Sequence, residues 1–266
     1  TASNNTAAGY QSLMDNTTGA QNTAVGRLAL ANNTTAGENV AMGSAALLTN
    51  TTGTACTALG SSALYSNTTA PNNTAVGANA LSENTTGSVN TAVGVDALRL
   101  NTTGPHNTAV GYKSLDINTT GTLNTALGSN ALLLNTTGGS NTAVGMQALD
   151  SNTTASNNTA VGYVALSTNT TGSALTAIGA AALDANTTGI DSTAVGVSAL
   201  SENTTGNYNV AVGRVALLHN TTASNNTAVG FSAGEFATTA DDSTFVGFQA
   251  GQGITGVKLT GNDNTA

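Results

Sequence analysis

The chain has 266 residues, of which 31 are glycine, 7% are charged and 3% aromatic, with no tryptophan and a net charge of −8. Thirteen acidic residues against five basic ones leave no clustered Lys and Arg to neutralise phosphates, which excludes nucleic acid and anionic membrane surfaces as expected partners. No run of 18 apolar residues is present, so no membrane-inserted helix is expected, and the one cysteine, Cys56, supplies neither a disulfide framework nor a metal cluster.

The chain opens with Thr1-Ala2-Ser3-Asn4-Asn5-Thr6-Ala7, which matches Thr222 to Ala228, and so begins inside a repeat; it reads as a segment of a longer protein. Glycines then recur without slip at 17-residue intervals, from Gly9 and Gly26 through Gly77 and Gly94 to Gly247, giving 15 copies of one unit. A fixed short period means one supersecondary unit stacked on copies of itself. With each glycine as position zero, −2 is Ala in every copy except Phe245, −1 is aliphatic after the first copy, +3 is Ala or Ser, and +4 is Leu from Leu13 to Leu217. Positions +7 to +9 read Asn-Thr-Thr in 13 consecutive copies.

Within one unit, Thr74-Ala75-Val76 alternates and reads as a short strand with Thr and Val on one face, ended by a glycine that can adopt angles other residues avoid. Ala80-Leu81 fits either a second short strand or a single helical turn. Asn84-Thr85-Thr86-Gly87 is turn chemistry, and Pro71 and Pro105, both at +11, mark a bend before the next strand. The expected fold is therefore all-β, a parallel β-solenoid or β-roll with 17-residue rungs. Stacking would place Val76 on Val93 and Leu81 on Leu98 at about 4.8 Å, and fifteen rungs would make a rod of about 70 Å. The expected core consists of Val76, Leu81, Val93, Leu98, Val110, Leu115, Val144 and Leu149. One rung cannot fold alone: a buried Val or Leu contributes about 1.5–3 kcal/mol, against about 1–2 kcal/mol of backbone entropy for each ordered residue. Stability is then a nearest-neighbour sum along the stack.

Residues 1–230 form the regular array and 231–266 a variant end, a cap or a junction in the same rod. There Asn-Thr-Thr gives way to Ala237-Thr238-Thr239, Leu at +4 becomes Gly234 and Gly251, and all four phenylalanines of the chain fall between 231 and 248.

The unit NTAVGxxALxxNTTG, with its later STFVGFQAG variant, resembles repeats of phage tail fibres and bacterial surface proteins, and is similar to the head repeats of trimeric autotransporter adhesins. That resemblance implies a left-handed parallel β-roll, three chains side by side, an extracellular location and attachment to surfaces.

The leading candidate sites are the Asn-Thr-Thr asparagines: Asn16, Asn33, Asn50, Asn67, Asn84, Asn101, Asn118, Asn135, Asn152, Asn169, Asn186, Asn203 and Asn220. Each is an N-x-Thr acceptor for N-linked glycan on a corner expected to be exposed. The competing reading is an amide ladder of stacked asparagines, and sugars every ~4.8 Å would crowd. Further acceptor triplets occur at Asn4, Asn32, Asn72, Asn157 and Asn225. The second asparagine column, which includes Asn22, Asn73, Asn90, Asn107, Asn124, Asn141 and Asn158, reads as a turn or ladder.

Gly261-Asn262-Asp263-Asn264 reads as a surface turn rather than a calcium loop. No nucleophile–base pair breaks the pattern, so neither enzymatic activity nor a cofactor is expected. The expected function is a structural extracellular fibre segment, on a cell or virion surface, that self-associates as a homotrimer or an end-to-end filament and could carry covalent glycans. An adhesin or tail-fibre shaft that binds a host surface is the alternative. An ice-binding solenoid ranks third, because Thr at −3 shares its face with a Val expected to point inward.

Overall fold

The computed structural model describes residues 2–253, 261 and 264–266. The chain is all-β, a parallel β-solenoid with one short strand per 17-residue turn, and it divides into two compact units, Thr1–Thr137 and Gly138–Ala266.

The first unit holds β1 (Thr6–Ala8), β2 (Thr23–Val25), β3 (Val40–Met42), β4 (Thr57–Leu59), β5 (Thr74–Val76), β6 (Thr91–Val93), β7 (Thr108–Val110) and β8 (Thr125–Leu127). The second holds β9 (Thr142–Val144), β10 (Thr159–Val161), β11 (Thr176–Ile178), β12 (Thr193–Val195), β13 (Val210–Val212), β14 (Thr227–Val229) and β15 (Thr244–Val246). Within each unit, successive strands pair in parallel and in register. Thr74, Ala75 and Val76 of β5 face Thr91, Ala92 and Val93 of β6, and β9 and β10 pair likewise.

Each strand stops at the column glycine for two physical reasons. Gly111 has φ of 134°, outside the range open to residues with a side chain. A Cβ built there would also lie 2.5 Å from the carbonyl oxygen of Gly128, one rung on. The rungs approach too closely at this corner for anything but hydrogen.

The second segment is neither strand nor helix. Residues +1 to +6 form a run of turns: Ala80 N donates to Gly77 O at 3.3 Å and Asn84 N to Leu81 O at 3.2 Å. Leu81 N still reaches the next rung, at Ala97 O, 3.0 Å, while Asn79 N donates to Ser61 O of the previous one at 3.0 Å. This bidirectional bonding is accompanied by left-handed backbone at alternate residues, with φ of 56° at Asn79 and 52° at Leu81. A third left-handed residue in each rung, such as Val89 at 59°, bends the chain back into the next strand.

The interior is narrow. From the middle of the strand comes Ala75, and from the turn run come Ala80 and Leu81, all fully buried. Leu98, Leu115 and Leu149 are equally enclosed. Opposite them lie asparagines, Asn84 and Asn90 in one representative rung, at 0% and 1% exposure. The valines differ from expectation. Val76, Val93 and Val144 are half-exposed, and Val110 is exposed. In a Thr-Ala-Val strand the two outer residues share a face, and the space inside the coil admits only the methyl of Ala, so Thr and Val both turn outward.

The last two rungs keep the same interior volume by different means. Phe245 replaces the strand alanine and is 1% exposed. Its ring occupies the space that a Cβ at Gly234 would enter, 2.6 Å from Phe245 Cδ2, and it lies equally against Gly251. One large residue in the −2 column thus fills the volume left by two missing leucines. Asn262 and Asp263 of the expected surface turn lie outside the described residues.

Candidate functional surface

The Asn-Thr-Thr segment is a structural device in which each residue has a different task. Its asparagines point inward. Asn16 is half-buried, and Asn33, Asn50, Asn67, Asn84, Asn101, Asn118, Asn135, Asn152, Asn169, Asn186, Asn203 and Asn220 have no exposure at all. The expectation of an exposed, glycan-bearing corner at these thirteen positions is therefore corrected. Asn84 Nδ2 spends one proton on Asn67 Oδ1 at 3.1 Å, one rung back, and the other on Gly87 O at 2.9 Å. A sugar on that nitrogen would displace a bond and would have no route out of the coil.

In the first unit this ladder runs through Asn33 to Asn16 at 2.8 Å, Asn67 to Asn50 at 2.9 Å and Asn118 to Asn101 at 2.8 Å. In the second it runs through Asn186 to Asn169 at 2.8 Å and Asn220 to Asn203 at 2.9 Å. It ends where Ala237 replaces asparagine, leaving Asn220 Oδ1 buried without a partner.

The second asparagine column forms a ladder of another kind. Asn73 Oδ1 accepts the backbone N–H of Asn90 at 2.9 Å, and Asn73 Nδ2 donates to Gly87 O at 2.8 Å. The two columns are thus joined at one carbonyl, since Gly87 O also accepts from Asn84. Buried amides are costly unless satisfied, and in the regular rungs their donors and acceptors are matched by the repeat itself, whereas at the variant end Asn220 Oδ1 and Asn226 Nδ2 lack partners. The column tolerates substitutes. Cys56 Sγ donates to Ala70 O at 3.3 Å, and Leu175 uses only its backbone N–H, to Asn158 Oδ1 at 2.9 Å. Burial pushes the Cys56 thiol pKa up.

The first threonine of the corner, half-exposed, donates its hydroxyl to the carbonyl one rung on, as Thr102 does to Thr119 O at 3.0 Å. The second, such as Thr103, is exposed. The acceptor triplets outside the ladder differ from those within it: Asn32, Asn72, Asn157 and Asn225 are all exposed.

The outer surface has three features. The strand face carries a row of half-exposed Thr beside a row of aliphatic side chains, with Val110 and Leu127 in the first unit and Ile178 and Val229 in the second exposed. Position +1, across the glycine, carries exposed Tyr10, Tyr112, Tyr163, Phe231 and Phe248. The sequence shows these as scattered variable residues. The structure sets them beside the aliphatic row.

Apart from Arg27 and Arg214 at position +1, the charges sit elsewhere on the rung, some of them in local pairs. Arg99 Nε and Nη2 grip Asp116 at 2.9 and 3.3 Å, which raises the Arg99 pKa further, and His219 meets Glu202 at 3.1 Å. Asp150 has a carboxyl pKa raised by burial. A shallow cleft at the corner is lined by Thr18, Gln21, Thr35, Glu38 and Thr54 among others; it offers one carboxylate and no nucleophile–base pair. Among the described residues, no group of three or more His, Cys, Asp or Glu could hold a metal ion, and no helix is long and apolar enough to cross a membrane.

No protein-family model matches the chain, and no curated protein is similar to it.

Proposed function

We propose that this protein is a non-catalytic structural fibre segment, placed outside the cell or on a cell or virion surface and self-associating as a homotrimer or end to end. The observation that carries the reading is the pair of buried asparagine ladders. The Asn-Thr-Thr ladder repeats the same side-chain hydrogen bonds from rung to rung, and the second column does so except where Cys56, Leu175 and Ser192 stand in for asparagine. Load across each rung-to-rung contact is thus divided among several parallel bonds. A nearest-neighbour solenoid of this kind has no single weak point within its regular part.

Stretching single molecules between their termini tests it. A fibre should yield by shedding rungs, each releasing 17 residues, or about 60 Å of extended chain. A staircase of equal steps supports the reading. One cooperative rip at low force, or smooth extension with no steps, overturns it.

A specific observation also favours a second reading, an ice-binding solenoid. The Thr row at −3 faces solvent beside Val, with Thr74 and Thr91 in register, where inward-pointing valines would have hidden it. Thermal hysteresis measured on the purified chain decides this: a clear gap between freezing and melting supports it, and none rejects it.

A further inference from the structure

The unit Gly138–Ala266 carries an unusually apolar outer band. On one side of its glycine column runs the aliphatic ridge of position −1, with Ile178, Val212 and Val229 exposed and Val246 most of all. On the other side runs position +1, with Met146, Tyr163, Val197, Phe231 and Phe248 exposed. Between them the glycine backbone, from Gly145 to Gly230, is half-exposed and has no side chain to fill the furrow. Phe231 and Phe248 stack at 5.5 Å between centroids, and Arg214 lies 5.7 Å over the Phe231 ring.

We infer that this band is the surface through which a second copy of the chain docks, side by side, as in the trimeric form of that fibre. The inference rests on the fibre reading above and names the surface through which that fibre self-associates.

Area is the first argument. A Phe or Tyr carries roughly 150–250 Å², so Tyr163 at 55% and Phe248 at 73% exposure already present a large part of a contact. Together with Phe231 at 39%, the three rings present about 250–420 Å², and the smaller exposed Val, Ile and Met side chains bring the band to roughly 700–850 Å², part of it at the last rung. Monomeric proteins rarely expose more than about 300–600 Å² in one apolar patch, whereas a stable interface needs about 800 Å² from each partner.

Charge is the second argument. The chain carries a net −8, yet positions −3 to +1 of this unit contain no acidic residue and one basic one, Arg214. Its acids lie at other positions, among them Asp184, Asp191, Glu202 and Asp242. Two like-charged copies can therefore meet on this face without bringing carboxylates together.

Shape is the third. Two ridges flank a furrow with the same rung spacing on every copy, so a ridge of one copy fits the furrow of another along its length. An unrelated partner would have to reproduce that period.

Sedimentation of the full chain from about 1 μM upward reads the association directly. The wild type is expected to be dimeric or higher. Val197→Thr with Val212→Thr, which keeps β-branched shape and strand pairing, should weaken association about tenfold or more. Tyr163→Lys with Phe248→Lys should abolish it, while Thr171→Lys with Thr205→Lys on the opposite corner should leave it unchanged. Circular dichroism of each variant should match the wild type. A wild type that stays monomeric throughout, or association kept in the band variants, overturns the inference. If the monomer still unfolds in equal steps under load, the reading of the chain as a load-bearing rod survives that result and its self-association does not.

Discussion

Asn101 Nδ2 donates at 2.8 Å to Oδ1 of Asn84, seventeen residues earlier, and at 2.9 Å to the carbonyl of Gly104 in its own rung. Its Oδ1 in turn accepts from Asn118 at 2.8 Å. One buried amide thus joins three rungs and closes its own corner. Asn101→Ala would leave a donor, Asn118 Nδ2, and an acceptor, Asn84 Oδ1, each short of a partner in a fully buried site. The cost should be about 2–5 kcal/mol, seen as a lowered denaturation midpoint. Thr103→Ala, two residues away on the exposed surface, should change stability by less than about 0.5 kcal/mol.

Cys56 interrupts the second ladder. Cys56→Asn restores an Oδ1 for the N–H of Asn73 and a stronger donor to Ala70 O, and should stabilise the fold by about 1 kcal/mol. The native thiol also makes a pH signature. Burial holds its pKa above the unfolded value, so the stability it contributes is complete below the unfolded pKa and is lost as pH rises through the folded one. Denaturation curves of the wild type should therefore weaken in the alkaline range by an increment that Cys56→Asn removes. Thiol reagents should label Cys56 only after unfolding.

Left-handed backbone at residues with side chains is a stored cost. Leu123 has φ of 60° and is 59% exposed, so its side chain gains little from packing while the conformation costs about 1–2 kcal/mol. Leu123→Gly should stabilise by a net of about 0.5–1 kcal/mol after the extra chain entropy glycine loses on folding. The same change at strand residue Val76 should destabilise. Thermal melting of the two variants checks the sign.

How far such features can be seen in the sequence depends on the residue. The glycine column and the Thr-Ala-Val alternation locate every rung and strand, because close approach at Gly111 and a three-residue pleat leave fixed marks. Alternation does not say which face is inside, and Val76 looks more like a core residue than Ala75. The better sign was constancy: −2 is nearly always Ala because the coil is tight there, while −1 varies among Val, Ile, Leu and Met because it meets solvent. The asparagines were ambiguous for a different reason. Asn84-Thr85-Thr86 spells a glycan acceptor and a ladder rung with the same letters, and only the paths of Asn84 Nδ2 to Asn67 and Gly87 separate the two. The apolar band was illegible because positions −1 and +1 become parallel ridges only once the rungs stack.

Phe245 and the glycines around it form a coupled substitution. Phe245→Ala alone should cost about 3–5 kcal/mol, since neither Gly234 nor Gly251 supplies atoms to fill the cavity. Adding Gly234→Leu and Gly251→Leu to that variant rebuilds the regular rung and should recover most of the loss. Either leucine alone, with Phe245 in place, should destabilise through overlap with the ring. A mutant cycle read by chemical denaturation would show the three positions strongly non-additive.

The most direct test of the account is hydrogen exchange at the asparagine side chains, followed by nuclear magnetic resonance on the folded chain. If the Asn-Thr-Thr column is an internal ladder, the Nδ2 protons of Asn50 through Asn118 should exchange as slowly as the most protected strand amides, and exposed Asn72 should exchange at once. Fast exchange along the column, or glycan attached to Asn84 or its equivalents in the folded protein, would contradict it.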